Sequence, residues 1–155
     1  MQSRESNKMV DIVDRKTRSR MMSKIKGKNT KPEVAVRQYL HRKGYRFRLH
    51  RKDLPGNPDI VLPSRMIAIF VHGCFWHRHR GCKKTTTPST NRAFWERKFK
   101  DNVNRDERNT QALQKLGWAV MVIWECEVND QGLETIAAKV ESIPQKMKMS
   151  STKRT

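Results

Sequence analysis

The pattern of apolar and polar positions divides the chain into a polar start, a patterned middle and a polar end. From Met1 to about Asn29 no period is sustained, and "PQKMKMSSTKRT" after Ile143 is equally patternless. Both read as basic arms with no core-facing side. In between, "TKPEVAVRQYLHRKG" carries Thr30 and Glu33 at capping-box spacing and closes on Gly44, which predicts a helix from about Lys31 to Lys43. "YRFRLH" alternates apolar and basic residues from Tyr45 to His50, as a half-exposed strand does. "DIVL" and "MIAIFV" are apolar runs separated by "PSR", so two strands joined by a tight turn and buried on both faces are expected. Trp95, Phe99, Val103, Thr110 and Leu113 recur at helical spacing between about Arg92 and Lys115. "AVMVIW" reads as another buried strand and Leu133 to Val140 as a last helix.

The order helix, strands, helix, strand, helix predicts an α/β domain over residues 30–143, a mixed central sheet flanked by helices. Residues 1–29 form an N-terminal arm and residues 144–155 a tail. A length of 155 residues suits one core, and no internal repeat suggests otherwise.

Composition adds the partner class. Hydrophobic residues make up 35% and charged residues 32%, so the core is modest and the surface heavily charged. A formal net charge of +19 repels itself unless a polyanion neutralises it, which points to nucleic acid. An acidic membrane face is the weaker candidate, because no apolar run approaches the roughly 20 residues of a spanning helix. "MQSRESNKMVDIVDRK" lacks the apolar region of a secretory signal, so a reducing cytoplasm is expected. There, three cysteines are thiols or metal ligands and not a disulfide framework.

Two stretches carry candidate chemistry. In "LPGNPD" two prolines and a glycine precede Asp59, and Pro58 stiffens a loop that delivers the acid to the start of the "IVL" strand. A carboxylate there must be paired, hydrated or bound to a cation. If "PSR" folds the next strand back, Asp59 lies near Val71 and His72. The bland alternative is an acid that caps a loop or pairs with one of many basic side chains. The second stretch is "HGCFWHRHRGC", which holds three of the five histidines and two of the three cysteines. Cys74, His79 and Cys82, with Cys126 brought in by the fold, supply the four donors of a zinc tetrahedron. Two alternatives stand beside this: buried cysteines without a metal, or His77 in place of His79. A closed shell of four protein ligands makes the zinc structural.

"PGNPDIV", "FVHGCFWHRHRGC", "AFWERKFKDNVNRD" and "GWAVMVIWEC" occur together and in this order. The compound pattern closely resembles the very short patch repair endonucleases, the bacterial Vsr family, from about Lys16 to Cys126. The resemblance implies a restriction-endonuclease-like core with a structural zinc. It implies a Mg²⁺-dependent enzyme that nicks duplex DNA on the 5′ side of the thymine in T·G mismatches left by deamination of 5-methylcytosine. It gives Asp59 the role of metal-binding carboxylate, with the backbone carbonyl of Val71 as a further Mg²⁺ ligand. The family usually has threonine at this last position, and a backbone contact survives the change. His72 and His77 resemble the active-site histidines, and Glu33 the helix-borne acid that orients the attacking water. Cys74, His79, Cys82 and Cys126 match the zinc shell, with one more residue between His79 and Cys82 than the family pattern has.

A histidine supplies acid or base help near neutrality, and His77 is favoured for proton transfer with His72 as its support. Phe75, Trp76 and Trp95 resemble the aromatics that wedge into the duplex beside the mispair, where stacking is already weakened. The competing reading of Phe75 and Trp76 is a hydrophobic plug on the zinc loop, and of Trp95 a core position on the same stripe as Phe99. Met22 resembles an arm residue that enters from the opposite groove, and the basic arm orders on binding. Lys98 and Asn102, one helical turn apart, reach mismatch edges or are solvated surface. Mismatched double-stranded DNA is thus the expected partner, a mismatch-repair protein a second candidate, and the chain a monomer. A restriction-type enzyme cutting both strands and a non-catalytic zinc module are the alternatives.

Overall fold

The computed structural model describes residues 16–17 and 28–145. The chain divides into two units, Met1–Thr30 and Lys31–Thr155. The second carries every element that follows.

Helix α1 is Lys31–Arg42, close to the expected span. Its buried positions Glu33, Val36 and Leu40 fall one turn apart, so a carboxylate occupies the first place of an apolar stripe. Strand β1 is only Arg48–Leu49, shorter than the alternation from Tyr45 to His50 suggests. His50 takes a left-handed φ of 49°, which ends the strand and turns its side chain out of the alternation. Strands β2 (Ile60–Leu62) and β3 (Ile67–His72) are joined by a 3₁₀ turn at Pro63–Arg65. A short helix α2 (Cys74–His77) follows, then the long α3 (Arg92–Lys115), β4 (Ala119–Trp124) and α4 (Asp130–Ser142).

The sheet runs β1-β2-β3-β4. The first two pairings are antiparallel and β3–β4 is parallel. A parallel pair needs a long crossover, and the segment with α2 and α3 supplies it. One sheet face packs Ile60, Leu62, Ile67, Ile69, Met121 and Ile123 against Val36 and Leu40 of α1 and Leu133, Ile136 and Val140 of α4. The other face packs Val61, Ala68 and Phe70 with Leu54 and with Leu113 of α3. This is the period of two expected of strands covered on both sides. Strand β4 is an edge, so only Met121 and Ile123 of it are buried.

Two glycines are dictated by close approach. A Cβ on Gly132 would lie 1.7 Å from the Glu127 carbonyl oxygen, at the turn where Asn129 caps α4 by accepting from the Gly132 N–H. Gly56, at φ +76°, sits so near Asn109 of α3 that a Cβ would come within 2.9 Å of its side-chain nitrogen. The proline-rich loop before Asp59 is therefore seated directly on α3.

Candidate active site

Register brings the acid of the proline loop to β3. With Ile60 opposite Ile69, Asp59 falls beside the end of β3, and its Oδ2 accepts the Val71 N–H at 2.8 Å. The His50 N–H donates to the Asp59 carbonyl at 3.1 Å, which ties the end of β1 to the same point. Glu33 reaches in from α1, 2% exposed, with Oε1 3.0 Å from His50 Nε2 and 3.9 Å from Arg37. Donor atoms of Glu33, His50 and Asp59 lie within 4.8 Å of one another. Burial, opposed by the Val71 N–H and aided by the charge of Glu33, leaves the Asp59 carboxyl raised to about 6. His50 and His77 both act to hold it down.

His77 belongs to a second group. Its Nδ1 meets Asp106 Oδ2 at 2.5 Å, and its ring stacks on His72 at 3.8 Å between centroids and 6° between planes. His72 is buried, with Trp124 and Phe70 against its edges. Burial first, and the neighbouring His77 next, lower its pKa to about 4, so His72 is neutral near pH 7. Asp106, accepting at Nδ1, leaves Nε2 of His77 to give or take a proton.

The third group lies just beyond. Sγ of Cys74, Cys82 and Cys126 and Nδ1 of His79 lie within 4.8 Å of one another. Cys74 and Cys126 stand 3.6 and 3.3 Å from that nitrogen. A tetrahedron around zinc separates neighbouring S and N donors by about 3.5–3.8 Å, so these residues fit the ion. His79, and not His77, faces the cysteines, and its ring stacks on Trp124 at 4.3 Å. Thr85 Oγ1 donates toward the carbonyls of His79 (2.6 Å) and Cys74 (3.2 Å), bracing the loop. Burial pushes the Cys74 thiol up to about 12 and raises that of Cys126, while a Lys84 backbone N–H leads the influences that lower Cys82.

Phe75 and Trp76 pack edge-on at 5.1 Å and meet Trp95 at 5.9 and 6.0 Å, with Phe99 beneath. Trp95 is 8% exposed, on the stripe it shares with Phe99, whereas its neighbour Phe94 is 58% exposed. Arg78 lies over the Phe99 ring at 3.9 Å and donates to the Thr86 carbonyl at 2.8 Å. Asn102 donates to the Trp76 carbonyl at 3.2 Å, and Lys98 is exposed. Met22 lies outside the described residues.

Sequence reasoning passed over Asp106, His50 and Phe94. Asp106 had a signal: it stands seven residues after Phe99 and seven before Leu113, an acid on the core-facing stripe of α3.

Three acids and three imidazoles gather in two groups, Glu33, His50 and Asp59 and His72, His77 and Asp106, in a strongly basic α/β domain, and these are donor types that could serve phosphodiester hydrolysis. Comparison with known proteins narrows the class. Residues 10–84 match the family described as DNA mismatch endonuclease Vsr. The chain is 51% identical over 124 residues to the Type II nicking enzyme V.XorIIP of Xanthomonas oryzae, covering 80% of this chain and 90% of that one. It is 43% identical to the Type II nicking enzyme V.NmeAIP of Neisseria meningitidis, over 81% of this chain and 89% of the relative. It is 38% identical to the DNA mismatch endonuclease Vsr of Escherichia coli, over 87% and 86%. The chain belongs to the Vsr family of DNA mismatch endonucleases, and is an endodeoxyribonuclease. No helix among the described residues is long and apolar enough to cross a membrane.

Proposed function

We propose that this protein nicks one strand of duplex DNA on the 5′ side of the thymine in a T·G mismatch, with Mg²⁺ at Asp59 and a structural zinc at Cys74, His79, Cys82 and Cys126. The observation that carries the reading is the crowding of Glu33, buried, and Asp59, half-buried, two acids at one strand end. Buried carboxylates that close repel, and a divalent cation relieves both.

Asp59 and the Val71 carbonyl would hold the Mg²⁺. In an extended strand the N–H and C=O of one residue face the same edge; since the Val71 N–H meets Asp59, its carbonyl is available there too, and valine in place of threonine leaves it intact. Mg²⁺ supplies charge neutralisation at the phosphorus and makes a water more acidic. Glu33 orients the attacking water. His77, held at Nδ1 by Asp106, moves a proton through Nε2, and neutral His72 keeps its ring in place. A four-ligand zinc shell has no open position, so its work is to fasten the 74–82 loop to the end of β4.

Phe75, Trp76 and Trp95 act as the wedge beside the mispair. Their packing, edge-to-face from Phe75 to each tryptophan and tilted between the two tryptophans, supports this, because it makes one stiff apolar block of three rings. Lys98 and Asn102 flank that block. The net charge of +19 supplies backbone attraction that weakens with added salt. Acting on bacterial DNA would place the protein in the cytoplasm; that it works as a monomer, with a mismatch-repair protein as a candidate partner, is part of the proposal.

End-labelled T·G and fully paired duplexes, resolved on native and denaturing gels, test the proposal. A Mg²⁺-dependent nick in the thymine strand alone, lost in Asp59→Ala, is the expected result. Equal nicking of the paired duplex would remove the mismatch specificity, and paired cuts in both strands would favour a restriction-type enzyme.

A further inference from the structure

His50 is the member of the acid group with no role assigned so far. Three features single it out. Its φ of 49° is a conformation that a non-glycine residue adopts at some expense, and it places the imidazole beside Glu33 and Asp59. Its backbone N–H is fastened to the Asp59 carbonyl at 3.1 Å, so ring and acid are held in register. Its buried Nε2 stands 3.0 Å from Glu33 Oε1, yet out of line for a hydrogen bond.

A 3.0 Å approach without hydrogen-bond alignment is what two ligands of one cation make. Donors about 2.1 Å from an octahedral ion and at right angles to each other stand about 3.0 Å apart. From the donor set we infer that His50 is itself a ligand of the catalytic cation, making this a mixed carboxylate–imidazole site that takes Mn²⁺ in preference to Mg²⁺. Mg²⁺ favours an all-oxygen shell, whereas Mn²⁺ lies in the series of transition metals that accept imidazole beside carboxylate. The inference rests on the proposed role of Asp59 as metal ligand, and adds to it His50 and one Glu33 oxygen as donors, leaving the other Glu33 oxygen to orient water, together with the metal preference.

Electron spin-echo spectroscopy of Mn²⁺ bound to the zinc-loaded, full-length protein reads the donor directly. The wild type is expected to show modulation from a directly coordinated imidazole nitrogen, altered by ¹⁵N-histidine labelling. The signal should persist in His77→Gln and vanish in His50→Gln. Calorimetric titration should find Mn²⁺ affinity about tenfold weaker in His50→Gln and Mg²⁺ affinity changed by less than about threefold, in keeping with loss of a single ligand-shell group. Asp59→Asn should bind neither ion. Wild-type Mn²⁺ that needs Asp59 but shows no imidazole nitrogen would overturn the role of His50 alone, and needs no variant to fold. Mn²⁺ retained at full strength in Asp59→Asn would overturn the Asp59 reading beneath it.

Discussion

The cysteine group and the Asp59 group are neighbours with opposite characters. The first draws three of its four donors from one loop, residues 74–82, and the fourth from Cys126 after β4. Its donors are soft, their spacing already suits a tetrahedron, and hydroxyl and carboxylate bonds from Thr85 and Glu125 brace it. The second gathers two carboxylates and an imidazole from α1, the end of β1 and the start of β2, and sets two acids against each other. On the proposed reading, one group is a closed zinc shell that stabilises the fold. The other crowds carboxylates that a cation would relieve, a strain expected where charge is gathered for chemistry.

The largest expected effects fall on the strained side. His77→Ala should lower single-turnover nicking by about 10³-fold, the mid-range for loss of an acid–base residue, with T·G duplex affinity little changed. Asp106→Asn should cost about 10- to 100-fold and change the pH profile of the same assay. If Asp106→Asn leaves both rate and profile unchanged, the proton does not pass through His77.

On the closed side, Cys74→Ser should lower bound zinc from one per chain to none by metal analysis. It should destabilise the protein by more than about 3 kcal/mol in denaturant titration, because a buried thiol and its ion are both lost. Zinc retained at one per chain would move the fourth ligand elsewhere.

A smaller effect of opposite sign separates the two groups. The folded-state pKa of Asp59 is raised to about 6 from an ordinary 3.8. Its contribution to stability is therefore most favourable below about pH 4 and is lost as pH rises through 6. In metal-free protein Asp59→Asn should add about 1–3 kcal/mol at pH 7.5, and nothing near pH 4, while abolishing nicking. A destabilised variant at pH 7.5 would mean that the acid is not under charge stress. The smallest effect is expected of Thr85→Val, which removes the hydroxyl bonds under the cysteine loop. About 1 kcal/mol of stability should go, with nicking unaffected.

The scaffold was legible from apolar periodicity because it is packed from both sides. The 60–62, 67–72 and 119–124 runs became strands, and the limits expected for α3 match the observed ones. Val103 departs from its stripe, 41% exposed, because α3 covers the aromatic loop with Trp95 and Phe99 and the sheet with Leu113, and Val103 falls between. The candidate site is legible where chain neighbours make it: Asp59, His72, His77, Cys74, His79 and Cys82 stand in short motifs. His50 was hidden by its own alternation, which continued the strand on paper where a positive φ breaks it. Asp106 was hidden because only the crossover between β3 and β4 brings residue 106 to residue 77.

The central claim is that one divalent cation sits between Asp59 and the Val71 carbonyl when mismatched DNA is bound. An anomalous difference map from crystals of the protein with an uncleavable T·G duplex, soaked in Mn²⁺, tests it most directly. The account predicts a peak within coordination distance of both Asp59 and that carbonyl. A peak confined to His72, His77 and Asp106, with none at Asp59, would contradict it.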